Sequence, residues 1–383
     1  MHPMLKPALR RGWRSRDTVR FGVAPAHAVV LGPLDTATGC FLELLDGTRG
    51  LPLLREEARA MGLPEGRADA LVERLAAAGL LDDPTGGGAA AQALRERRGV
   101  LERLRPDLAS LSVLHPVPGA ALRALAARRE MRVRVKGAGR VGAAVAAVLS
   151  ASGVGRVEVM DGGRVEPWDV APGGLTAEDI GERREAAARR MVRRAAPEDR
   201  ARRTVPAARR RDTAGEPGLT LVVIAPRDGL AAYAPDPAEA EPLIAAGIPH
   251  LYAGVIEATG VVGPLVLPGH TPCAGCLAAR TAEREPDWPR MVAQWRSGRR
   301  PAAPACDTAL ATVVAGLAAV HALGFLDGQL PASAGARLEL PMPAAAWHPR
   351  PFEAHPECVC GAAMSGDGGY PAGSRTPHAT MAG

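Results

Sequence analysis

The chain has 383 residues, a formal net charge of +6 and a pI near 9.3. That length allows two domains, and 47% hydrophobic residues with only 3% aromatics mean that any core is built from Ala, Leu and Val. Lysine occurs only at Lys6 and Lys136, so the basic excess is arginine in an Ala-, Gly- and Pro-rich chain, a compositional bias rather than the footprint of a nucleic-acid binder.

The opening Met1-His-Pro-Met-Leu-Lys-Pro holds no apolar signal core, which argues against secretion and for a cytoplasmic protein. Residues 1–16 are basic and expected to fray. Val19-Arg-Phe21-Gly-Val23 and Ala28-Val-Val-Leu31 read as two short strands around an Ala24-Pro25-Ala26 turn. Three helices follow, at Gly39–Leu45, Leu51–Met61 and Ala68–Ala78, the last with Leu71 and Leu75 on one face and Gly79 as its C-cap. Leu80-Leu81-Asp82 then exits as a wing strand. Strands plus three helices give a small winged-helix-like α+β domain over residues 1–83. A DNA-reading helix would expose unbalanced basic residues, whereas Arg67 and Arg74 are offset by Asp69 and Glu73. Cys40 reads as a small core residue.

Pro84-Thr-Gly-Gly-Gly reads as a flexible linker, followed by a charged helix from Ala93 to Arg105 and mixed structure to Glu130. A glycine loop then sits between a strand, Arg132-Val-Arg-Val-Lys136, and an Ala/Val-rich helix. Its glycines are Gly137, Gly139 and Gly142, and a second strand, Val157-Glu-Val-Met, ends on Asp161. The acid lies nineteen residues after Gly142, close to the ~20 expected of a nucleotide-binding βαβ unit. Glycines let backbone approach phosphates, the helix N-terminus attracts their charge, and the acid accepts from a ribose hydroxyl. This unit is expected to run over residues 131–360, and the Gly/Ser/Pro-rich tail at 361–383 to be disordered.

The arginine run from Arg189 to Arg211 reads first as a solvated helix face and second as a contact for phosphate or an acidic peptide. Ala309–Phe325, interrupted by Thr312 and His321, reads as a buried core helix rather than a membrane span. Cys273-Ala-Gly-Cys276 and Cys358-Val-Cys360 lie in Pro-rich turns. Clustered cysteines in a reducing compartment suggest metal ligation, and four thiolates suit a closed structural zinc site. A mixed site using His355 and free thiols are the alternatives. Cys306 precedes the long apolar helix, a position that can lower a thiol pKa; a packed residue is the plainer reading.

The glycine loop, Asp161 and the cysteine pairs together resemble the ThiF/MoeB/HesA family, relatives of ubiquitin-activating enzymes. Val165-Glu166 and Asp179-Ile180-Gly181 also match that family's pattern. The first domain, through Phe21-Gly-Val23, Leu45-Asp-Gly-Thr48 and Leu75–Asp82, is similar to PqqD-like leader-peptide clamps, which bind a peptide as an added strand. The resemblance implies a Rossmann-like α/β fold that uses ATP and magnesium. It also implies attack of a peptide or small carrier protein's carboxylate on the α-phosphate, with Gly137, Gly139 and Gly142 on phosphates and Asp161 on ribose. Arg184, standing for the family's lysine, would contact phosphate, and a homodimer is the default. The family's phosphate-gripping arginine falls on Pro172, and its magnesium aspartate on Arg227 with Asp228 next; Asp228 is then the candidate magnesium ligand. Arg140, Arg164 and Arg183 are candidate replacements for the lost arginine.

Three functions follow. One is an active adenylating enzyme. Another is a degenerate member that holds a leader peptide for a separate modifying enzyme, as in azole-peptide biosynthesis. The third, an NAD- or FAD-dependent oxidoreductase, shows no hydride-transfer constellation and gives the cysteines no role.

Overall fold

The strand Arg132–Lys136 lies between Arg156–Met160 and Leu219–Ile224, parallel to both. Its buried Val133 and Val135 face one side of the sheet and join the main core, as alternation along a strand requires. The computed structural model describes residues 1–198, 218–298 and 303–363, which divide into two compact units, residues 1–128 and the chain from Arg129 onward.

In the second unit seven strands form one mixed sheet. Its order is His348–Pro351, Ala336–Pro341, Thr259–Val266, His250–Ile256, Leu219–Ile224, Arg132–Lys136 and Arg156–Met160. The last four are parallel and the remainder antiparallel. Helices Arg140–Ala151 and Thr308–Leu326 cover one face with small side chains such as Ala146, Ala315 and Ala318. The long apolar helix is therefore a core helix as expected, one side buried by Leu310, Val314 and Ala322. Its polar interruption, His321, is paired with the buried Ser333 at 2.7 Å.

In the first unit, Arg11–Trp13, Val19–Phe21 and Val29–Leu31 form a three-stranded antiparallel sheet. Helices Thr36–Glu43, Leu51–Ala60 and Arg67–Ala77 match the expected three. Two expectations need correction. Residues 1–16 are not frayed: Met4–Leu5 pairs with Leu81–Asp82, and Arg11–Trp13 pairs with Val19–Phe21. Nor is the stretch after Pro84 a loose linker. Helices Gly88–Glu96, Arg98–Arg103, Arg105–Leu114 and Ala120–Arg128 bury Leu94, Leu104, Leu111 and Leu125 against one another. Cys40 is exposed rather than core, because its helix turns Thr38, Phe41 and Leu42 inward.

Part of the arginine run is a charged helix face, with Arg189 paired to Glu185 and Arg190 to Asp179 and Glu182. The rest of that run, and the tail from residue 364, lie outside the described residues.

Candidate nucleotide site and cysteine cluster

The three loop glycines do different work. Gly137 has φ of +109°, and a Cβ there would stand 1.9 Å from the Ala225 carbonyl oxygen. A Cβ at Gly142 would stand 2.2 Å from the Gly137 oxygen. Both are therefore required by the chain's own close packing of turn, helix and neighbouring strand. Gly139 differs: it is the N-cap of Arg140–Ala151, without a side-chain cap, and its Cβ would meet only the side chain of Arg227, at 2.9 Å. Glycine adds no side chain of its own at this helix N-terminus, whose first N–H groups can attract an anion; the side chain standing over it is that of Arg227.

Asp161 is brought to this loop. Its Oδ2 accepts from the Ala138 N–H at 2.6 Å, and its Oδ1 accepts from Arg184 Nε at 2.8 Å. Arg184 also donates to the carbonyls of Gly162 and Arg164. The two side chains are 9% and 11% exposed, so this ion pair fixes the strand end against the helix Arg184–Ala195. Arg184 is thus placed beside the ribose-type acid, as a group that orients it.

Arg227 closes over Gly139. Its Nε donates to Asp169 Oδ1 at 2.7 Å and a terminal nitrogen donates to Glu166. Burial works against its charge, but these carboxylates outweigh it and raise its pKa. The clasp was not foreseen from sequence, because Asp169 lies in a different loop. Asp228, the candidate magnesium ligand, is the N-cap of Gly229–Tyr233, its Oδ1 accepting from the Leu230 N–H at 3.0 Å. One oxygen of its carboxylate thus caps that helix, beside the Arg227 clasp.

Pro172 sits exposed at the tip of a turn, where Ala171 N–H donates to Leu175 O and Gly173 has φ of +72°. Of the three substitute arginines, Arg140 donates to the carbonyls of Trp168 and Cys306, and Arg164 to that of Gly181. Arg183 is exposed. Arg140 thereby ties the loop after Asp161 and the segment before the long helix to the start of the nucleotide-site helix. Cys306 packs against the core, and burial raises its thiol pKa despite Arg140 nearby. It is a packed residue, not an activated thiol.

The four cysteines converge. Sγ of Cys273 lies 3.9 Å from Cys276 and 3.5 Å from Cys358, and Cys276 lies 3.5 Å from Cys360. All four sulfurs fall within 4.8 Å of one another. Thiolates at ~2.3 Å from one tetrahedral ion would be about 3.8 Å apart, so the set fits zinc. Gly275 makes the room: a Cβ there would stand 3.1 Å from Cys358 Sγ. The mixed alternative fails, because His355 Nε2 is engaged by Glu283 and Nδ1 by the Glu357 N–H. Among the described residues no other cluster of three or more metal-binding side chains occurs.

A mixed sheet with a glycine turn after one parallel strand, an acid at the end of the next and a four-cysteine cluster defines a Rossmann-like α/β protein. The chain belongs to the ThiF family, which it matches over residues 115–361. It is similar in structure to Escherichia coli MccB solved with succinimide, at 15% identity and a TM-score of 0.66, over 94% of this chain and 99% of that one. MccB solved with ATP gives 15%, 0.64 and the same coverage. PaaA is similar at 15% identity and a TM-score of 0.62, over 91% of this chain and 100% of that one. No curated protein matches the chain.

Proposed function

We propose that this protein binds ATP at the Gly139 helix N-terminus and activates the carboxylate of a captured peptide by adenylation. The observation that carries this is Asp161 bonded both to the Ala138 N–H of the glycine loop and to Arg184, within a ThiF-family chain. MccB, similar over nearly the full length of both chains, has been solved with ATP and with MccA. In this reading the N–H groups after Gly139 face the phosphates, with Arg227 beside them, and Asp161, held in place by Arg184, accepts from the ribose. A carboxylate oxygen of the peptide bonds to the α-phosphorus, the bond to the β-phosphate's bridging oxygen breaks, and pyrophosphate leaves. Positioning and charge neutralisation supply the catalysis. Magnesium is commonly held by phosphates with one or two carboxylates, and Asp228 is the candidate here, one of its oxygens being engaged as a cap.

The peptide is captured by the first unit. Its three-stranded sheet ends on Arg11–Trp13, exposed along its length, which offers an edge for strand addition. Zinc, held by Cys273, Cys276, Cys358 and Cys360, joins two distant segments and leaves no open coordination position. The protein is read as a cytoplasmic homodimer, with no nucleic-acid or membrane partner.

One observation favours a second reading. Arg227 replaces an acid and is clasped by Asp169 and Glu166 above Gly139. Under that reading the pocket no longer adenylates, and the protein presents a leader peptide to a separate modifying enzyme. Mass spectrometry separates the two. A peptide with a free C-terminus, incubated with ATP, gains one adenylate under the first reading while its C-terminal amide does not; no modification of either supports the second.

A further inference from the structure

A large cleft of about 860 Å³ opens in the second unit, lined by none of the glycine-loop residues. This volume lies within the range of ligand sites. Its walls concentrate a scarce resource: of twelve aromatic residues in the chain, Tyr233, Trp288 and Phe352 line it. Trp288 leans on Tyr233 at 6.4 Å between ring centroids and is backed edge-on by Trp295 at 5.5 Å. On the floor the Arg337 guanidinium lies 4.0 Å over the Tyr233 ring. Arg337 and Arg350 share a single carboxylate, Glu339. Arg284, exposed on the rim, has no ion-pair partner among the described residues. Four arginines and two glutamates line the cleft in all; Arg296 is paired with Asp236, so the positive excess beside the aromatic walls rests on Arg284 and on the pair Arg337 and Arg350 facing one Glu339.

We propose that this cleft holds an acidic, extended segment of a peptide, with an apolar side chain against Trp288 and Tyr233 and flanking carboxylates on Arg284 and Arg350. Arginine matches carboxylates in a planar fork, and aromatic walls give an apolar side chain rigid area to bury. The excess is modest, because Glu339 takes up charge from Arg337 and Arg350; that suits a few spaced carboxylates on an extended peptide rather than the dense charge of a polyphosphate. The bordering edge strand His348–Pro351 lacks an N–H at Pro349 and Pro351, so a continuous added ladder is blocked there and recognition falls to side chains. This inference rests on the peptide-substrate reading and adds a second anchoring point to it.

The test is a titration of the full-length protein, without ATP, followed by tryptophan fluorescence and calorimetry. The probes are a twelve-residue peptide of Asp and Glu around one central Phe, and its Lys-substituted counterpart. The acidic peptide is expected to bind with salt-sensitive affinity. Arg284→Glu with Arg350→Glu, both solvent-facing changes, is expected to weaken it at least about ten-fold and to improve binding of the basic peptide. Trp288→Leu is expected to weaken it while leaving the charge preference. Equal binding of both peptides, or an affinity unchanged by the charge reversals, would overturn the proposal. Because the titration contains no ATP, its failure leaves adenylation standing, and absent adenylation leaves this binding standing.

Discussion

Arg184 Nε and Asp161 Oδ1 meet at 2.8 Å in a pair that is about nine-tenths buried on both sides. The acid at the strand end is thereby held by the same residue that family resemblance assigns to phosphate. Removing one member of a buried pair leaves the other uncompensated, at about 3–5 kcal/mol. Arg184→Ala is expected to lose that much, read as a lowered urea midpoint. Arg184→Lys is expected to recover only part of it, because a single ammonium cannot reproduce the arginine's planar donation to Asp161 and two carbonyls. A lysine variant as stable as the parent would contradict the orienting role.

The loop glycines should separate by substitution. Gly142→Ala places a Cβ 2.2 Å from a backbone oxygen and is expected to cost about 1–3 kcal/mol or more by overpacking. Gly139→Ala meets no backbone closely but presses on the Cγ of the clasped Arg227 at 2.9 Å; it is expected to cost less than Gly142→Ala, about 1–2 kcal/mol, while weakening ATP binding. Thermal unfolding and nucleotide titration of the two variants check this. Equal loss of stability in both would remove Gly139 as the ligand-facing position.

How much of this was legible in the sequence follows from distance along the chain. The strand, glycine turn, helix and terminal acid are contiguous, so their periodicity showed them. The cysteine cluster was legible because each pair is local and only one other pair exists. Met4–Leu5 was not, since two residues carry no alternation and their partner is Leu81–Asp82. Gly86 to Gly88 resembled a linker, yet Gly87 has φ of +94°, and a Cβ there would stand 2.7 Å from that of Ala91. Those glycines make a packed turn into a helix. The resemblance placed Arg227 where the family has an acid; its clasp by Asp169 and Glu166 required the fold.

Metal content gives another check. About one zinc per chain is expected from four converging thiols, with Cys276→Ser and Cys358→Ser each lowering the content and the melting temperature. His355→Ala should keep the metal, because its ring nitrogens are engaged by Glu283 and the Glu357 N–H. Elemental analysis after chelator dialysis measures this. Full zinc in both serine variants would exclude the four-sulfur site.

Acid sensitivity should trace in part to His250. It is fully buried, and burial, with Lys136 adding, lowers its pKa from 6.5 to about 4. The folded state keeps it neutral, while the unfolded chain takes up a proton below about pH 6.5. Its contribution is therefore complete above that pH and is lost as pH falls toward 4, amounting to about 2 kcal/mol between pH 7 and 5. His250→Phe should flatten the fall in unfolding free energy over that window. His321, shifted downward by burial in the same sense, is present in both proteins and cancels. Parallel profiles would show that His250 does not titrate as described.

The most direct measurement is ATP–pyrophosphate exchange by the purified protein with a peptide bearing a free C-terminal carboxylate. Adenylation at the Gly139–Asp161 site predicts label entering ATP only when peptide is present, with the rate cut at least about ten-fold by Gly139→Glu, which puts a like charge beside the phosphates. No exchange, together with no detectable ATP binding, would contradict it and leave a peptide-holding protein in which Arg227 has closed the nucleotide site.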